Sequence, residues 1–298
     1  MSGETSFLVQ FLVDAVSVGG LYALVALGIG LIFGVVGLVN FAHGDYVMVG
    51  AYTVLLTAGL GVPVSIAAAI AVVALLAVAS DVIVFRPVRS ATPATLMIVS
   101  FSLSYALEHL FVMSFGALAR TVNFLPQMSS NIEIFGLRIA AVSLLQIGAT
   151  IILTALLAGI INYTSIGYQM RAVSENVKMA RLVGVNTNRV IIAAFLASAV
   201  LAATVSILFL AQTGTTTPFF GQSLTIIGFV ATVIGGMGSL VGCALGGFLV
   251  GFITTALQLA LPESLQPFRE AFVFGAVMLM LIVRPGGLIM IRTSRERV

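Results

Sequence analysis

Apolar positions along this chain do not alternate with polar ones. They run in blocks separated by short clusters of glycine, proline, asparagine and charge. The blocks are about 17–25 residues long, enough for a helix to cross roughly 30 Å of hydrocarbon. This pattern predicts helices over 7–36, 40–60, 62–85, 93–116, 141–162, 189–211, 223–240, 243–261 and 270–284. Two of them, 40–60 and 223–240, hold Gly44, Gly50, Gly228, Gly235, Gly236 and Gly238, so either is a candidate for a broken or re-entrant helix. No weak ten-residue dyad repeat of a membrane barrel is present, so the backbone must satisfy its hydrogen bonds within helices. The expected fold class is all-α: a polytopic transmembrane helix bundle of about 8–10 segments, forming one domain over 1–298.

Composition agrees with this pattern and charge adds a direction to it. Only 8% of residues are charged and mean hydropathy is +1.20, whereas a soluble domain carries about 25% charge. Arg86 and Arg89, then Arg171, Lys178, Arg181 and Arg189, then Arg284, Arg292, Arg295 and Arg297 fall in loops or tails on one side of the predicted bundle. These are ten of the 13 cations, which marks that side as cytoplasmic. The N-terminal leader holds Glu4 and Asp14 without Lys or Arg, unlike a secretory signal. An external N-terminus and nine crossings to a cytoplasmic C-terminus are therefore expected. Cations that flank spans do not form a nucleic-acid patch, and the lone Cys243 excludes an internal disulfide.

Candidate chemistry is sparse. A nucleotide-binding P-loop needs glycines ahead of a Lys-Ser/Thr pair, and the single lysine, Lys178, lies in ENVKMARL. His43 and His109 stand alone in different spans, without metal-ligand spacing. Ser102 or Ser104 with Glu108 and His109 is the nearest approach to a nucleophile set, but such a cluster inside a bundle more often packs helices or lines a path. Asn40, His43 and Asp45 follow the long first span. One reading has Asn40 capping the second span near the cytoplasmic boundary with Asp45 at its positive end, and the other has the segment lining the inner route or its gate. Gly30 and Gly34, and Gly238, Gly242 and Gly246, recur every four residues, a spacing that lets another helix approach within the subunit or across a dimer.

The loop over 163–188 has its own period. From Gly167 to Val183 it predicts one short amphipathic helix, with Met170, Val173, Val177 and Ala180 as the apolar stripe and Arg171, Glu175 and Lys178 as the charged one. Gly184 suits the position just past its end, and Asn188 is expected to cap the next span. Such a helix either lies on the inner leaflet or docks a soluble partner, which would cover Met170, Val173 and Val177 and meet Arg171, Glu175 or Arg181 at its rim.

Three separated stretches, GLYALVALGIGLIFGVVGLVNFAHGDYVMVGAY at 20–52, GYQMRAVSENVKMARLVGVN at 167–186 and IGGMGSLVGCALGG at 234–247, resemble the branched-chain amino-acid type permeases of bacterial ABC importers. The resemblance implies an inner-membrane permease subunit for branched-chain or related amino acids, without cofactor of its own. ATP and Mg would be held by two cytoplasmic ATPase subunits. The other implied partners are a second, homologous or identical permease subunit, an extracytoplasmic substrate-binding protein, membrane lipid and the amino acid, with no nucleic acid. Carried onto this chain, it makes Arg171, Glu175, Ala180, Arg181 and Gly184 the ATPase-facing positions. Related permeases serve urea, amides and aromatic acids, and an ion-coupled transporter or channel using Asp45, His43, Glu108 and His109 as a proton relay is the alternative from another class.

Overall fold

The computed structural model describes residues 3–122, 124–125, 131–134, 137–284 and 287–289; Arg292, Arg295 and Arg297 lie outside the described residues. Seven helices are long and apolar enough to cross a membrane: Phe7–Val36 within α1 (Gly3–Val36), Val62–Val88, Pro93–Phe115 (α5), Ala141–Tyr163 (α6), Thr187–Thr213 (α9), Leu240–Ala260 (α11) and Glu263–Val283. The second of these runs from α3 (Val62–Ala79) through a π-turn at Ser80–Phe85 into α4 (Arg86–Val88), and the last ends in α12 (Arg269–Val283). Two more are short, α2 (His43–Thr57, 15 residues) and α10 (Phe220–Gly235, 16 residues). At about 1.5 Å per residue each covers roughly 23 Å, less than the hydrocarbon thickness.

α1 and α9 form the centre. Leu24, Ile29 and Ile32 of α1 and Ile191 and Phe195 of α9 are fully buried, and α11 lies along α1. Small residues permit that closeness. A side chain at Gly247 would meet the Ala23 backbone, and one at Gly251 the backbone of Gly19. Gly30 faces the Cys243 sulfur, Gly34 faces Gly238, Gly242 faces Gly235 and Gly246 faces the Ala231 carbonyl, all within this one chain.

The bundle has a basic end, where Arg86, Arg89 and the 165–182 segment lie, and an opposite end. At the opposite end β1 (Arg120–Thr121) pairs antiparallel with β4 (Thr215–Thr216), and β2 (Asn131–Ile134) with β3 (Leu137–Ala140) leads into α6. The 165–182 segment departs from the single helix expected there. It forms α7 (Ser165–Glu175) and α8 (Val177–Leu182), broken at Asn176, whose Oδ1 accepts from the N–H groups of Lys178 and Met179 and so starts the second helix. After α8, Gly184 has φ +90° and Val185 N–H reaches back to the Ala180 carbonyl, a Schellman end. The cap of α9 is Asn186, whose Oδ1 accepts from Arg189 N–H; the expected cap, Asn188, lies inside the helix and accepts instead from Arg89.

Candidate site at the start of the short helices

Residues 37–42 are non-helical and turn back from the end of α1 into the bundle, with Leu38, Asn40 and Ala42 buried. The His43 ring lies against Gly28, eight residues before the end of α1, and its Nδ1 is 3.1 Å from Ser198 Oγ, eleven residues into α9. Eight helical residues span about 12 Å, so α2 begins well inside the bundle rather than at its boundary. This corrects the expectation for Asn40. Ala42 is the residue before α2 and supplies no side-chain cap, while Asn40 Oδ1 accepts from Ala42 N–H at 3.1 Å, upstream of the helix. An Asx turn of this kind holds the re-entrant loop rather than the helix end.

α2 and α10 meet at their first turns. Gly44 N–H donates to Thr225 Oγ1 at 2.9 Å, and a side chain on Gly44 would collide with the Gly221 carbonyl. Two helix N-termini, each with its positive dipole end, are thus brought together inside the bundle, the arrangement broken helices use at membrane substrate sites.

The three residues singled out by sequence do not converge. His43 turns toward α1 and α9, Asn40 toward Tyr46, and Asp45, two residues on from His43, toward α5. Asp45 is 1% exposed, lies close to Ser104 and Glu108, and has neither carboxylate oxygen hydrogen-bonded. Ser100, Ser104 and Glu108 recur every four residues on the buried face of α5, with Ser104 halfway along the helix. Beside them runs a groove of about 380 Å³ lined by Phe101, Ser102, Ser104, Tyr105, Glu108 and Gln222. Of the four residues grouped in the relay alternative, the structure brings Asp45 and Glu108 together, turns His43 toward α1 and α9 and leaves His109 exposed beside the Tyr105 carbonyl; Gln222 of α10 joins the groove only through tertiary packing.

A second polar set joins this region to the basic end. Asp81, fully buried in the π-turn, pairs with Arg86 at 3.6 Å and with Arg89. Arg89 also donates to Asn188 at the start of α9, and Arg181 of α8 donates to Thr187 Oγ1 at 2.9 Å. Ser80, the residue before Asp81, lies beside Tyr46 of α2. Among the described residues these are the ion pairs of the chain.

The apolar stripe of the 165–182 segment is turned inward. Met170, Val173 and Ala180 belong to the main core and Val177 packs against it, so they do not offer the partner-covered face expected of them. Arg171 is tied to its own chain, donating to the Ile161 carbonyl and lying 4.6 Å over the Tyr168 ring. What remains open is the other face, Glu175, Lys178, Met179, Arg181, Leu182 and Val183.

The family described as branched-chain amino acid transport system / permease component matches residues 11–283. The chain belongs to this family. It is 30% identical over 303 residues to the high-affinity branched-chain amino acid transport system permease protein BraD of Pseudomonas aeruginosa, covering 96% of this chain and 97% of that one. It is 28% identical over 306 residues to LivH of Escherichia coli, a permease protein of the same description, covering 97% of both. A partial similarity, 34% over 146 residues, extends to the autoinducer 2 import system permease protein LsrC of Klebsiella pneumoniae, covering 46% of this chain and 42% of the relative. No solved structure matches the chain. This permease is a multi-pass inner-membrane protein, and subunits of its family are not themselves ATPases.

Proposed function

We propose that this permease imports branched-chain amino acids by alternating access, driven by two partner ATPase subunits and fed by a substrate-binding protein, with a second permease subunit completing the path. The basic end is cytoplasmic by the positive-inside rule, which places the C-terminus there and the N-terminus outside. The 163–188 loop is the coupling element within a single 1–298 transmembrane domain, and Arg171, Val173, Glu175, Val177, Ala180, Arg181 and Gly184 set its shape and its exposed face.

The observation that carries this reading is the side-chain chain from that loop to α2. Arg181 holds Thr187, Arg89 holds Asn188 and Asp81, and Ser80, the neighbour of Asp81 in the π-turn, lies beside Tyr46, three residues past His43. A displacement of α7 and α8 by an ATPase is thereby passed to the re-entrant helix beside the membrane groove. Asn40, His43 and Asp45 fix where that helix begins, and the glycines Gly30, Gly34, Gly238, Gly242 and Gly246 form the close helix contacts about which the bundle shifts.

Asp45 and Glu108, two acids without a cation nearby, favour one competing reading, a proton relay. Uptake of labelled leucine into proteoliposomes holding all subunits separates the two. It is expected to require hydrolysable ATP and to be indifferent to an uncoupler. Uptake that continues without ATP and collapses with the uncoupler overturns the importer reading.

A further inference from the structure

Glu108 lines the groove beside α5 with Asp45 buried next to it, and among the described residues the ion pairs, Arg86 and Arg89 with Asp81, involve neither acid. We propose that this groove is the permease's own substrate site, in which Glu108, with the Asp45 carboxyl behind it, receives the ammonium group of an amino acid while Gln222 and the first turn of α10 receive its carboxylate. The proposal rests on the amino-acid importer reading and adds the contacts to it.

Glu108 is 92% buried by its 8% exposure, yet it lines the groove, and no hydrogen bond reaches it among the described residues. Asp45 is more deeply buried behind it, with both oxygens unpartnered. Ionised side chains in a bilayer interior are retained where a partner visits them, and among the described residues neither acid has a cation partner, the group beside Asp45 being the Ser104 hydroxyl. The ligand that fits must therefore bring a positive charge.

The same groove also offers the opposite polarity. α10 starts without a side-chain cap, because Phe219 precedes it, and Gln222 in its first turn lines the groove. Uncapped N–H groups and the positive dipole end suit a carboxylate. Phe101, also in the lining, presents a ring stacked on Phe41, centroids 3.9 Å apart and planes 16° from parallel, an apolar wall for a branched aliphatic side chain. A volume of about 380 Å³ is at the small end of ligand sites, roughly 300–1,000 Å³. A buried acid, an amide beside an uncapped helix start and an aromatic wall in one lining match the ammonium, carboxylate and hydrocarbon parts of a zwitterionic amino acid.

The assembled transporter in nanodiscs is treated with a hydrophobic carbodiimide, and modification of Glu108 is followed by peptide mass spectrometry. Leucine and 3-methylbutylamine, which carry the ammonium group, are expected to slow labelling at least fivefold. The same carbon skeleton without it, 4-methylpentanoate, is expected to leave labelling unchanged. In parallel, Glu108→Gln and Asp45→Asn, matched in shape and uncharged, are expected to lower leucine uptake at least tenfold while the complex still copurifies. Equal protection by 4-methylpentanoate, or uptake within twofold of wild type in both variants, overturns the proposal. A wild-type complex that moves no leucine but whose Glu108 is still protected by 3-methylbutylamine supports the ammonium site and overturns the importer reading on which it was framed.

Discussion

Gly44 and Gly221 set how closely α2 and α10 cross, because each backbone fills the space a side chain would need on the other. Gly44→Ala forces a methyl against the Gly221 carbonyl and Thr225 Oγ1, and neither helix can retreat without disturbing α1 or α9. Overpacking of this kind costs about 1–3 kcal/mol. A lower unfolding midpoint of the purified permease in detergent is expected, whereas Gly148→Ala, with nothing within 4 Å of the added carbon, leaves the midpoint unchanged. Equal midpoints for the two variants would show that the crossing is loose. The spacing of Gly238, Gly242 and Gly246 is legible in the sequence as a packing face. What each one meets is not, since Gly235 and Ala231 come from the neighbouring helix and their register is set by packing. Asp45 illustrates the same boundary: its residue type announces an unusual position, and only tertiary structure brings Ser104 and Glu108 beside it.

Among elements, the 165–182 segment separates stability from coupling. Val173 is 1% exposed in the permease's own core, so Val173→Asp buries an unpaired charge and lowers the yield and midpoint of the permease itself. Leu182 is 80% exposed, and Leu182→Asp leaves the fold intact. If this face docks an ATPase subunit, pull-down of that subunit by Leu182→Asp falls about tenfold, the effect of losing roughly 1.4 kcal/mol at an interface. Undiminished recovery would move the contact to another loop, such as the one over 86–92. The 3-4 spacing of Met170, Val173, Val177 and Ala180 makes an amphipathic segment legible, but an apolar stripe does not state what covers it. The break at Asn176 is hidden for a related reason: asparagine is tolerated inside a helix and favoured at its start, and only the geometry selects the second use.

At the scale of the molecule, the charge asymmetry predicts a measurable orientation. In a Cys243→Ala background, cysteine at Leu118 is expected to react with a membrane-impermeant maleimide added to whole cells, and cysteine at Ser174 only after the membrane is opened. The reverse result would invert the assigned topology. Seven spans are legible because their apolar runs exceed the bilayer, while the start of α2 is not: the helix read from residue 40 begins only at His43, after a non-helical stretch at 37–42 that ends in a turn at Phe41 and Ala42. That re-entry also orders how the protein can be made. The groups that seal α2, Ser198 against His43 and Thr225 against Gly44, lie 155 and 181 residues downstream. At about 5–20 residues per second, α2 waits roughly 8–36 s after its own synthesis before its unpaired backbone can be covered. A chain halted at Tyr163 would carry α2 without either contact, so the start of this helix is held in place only once translation has passed Thr225.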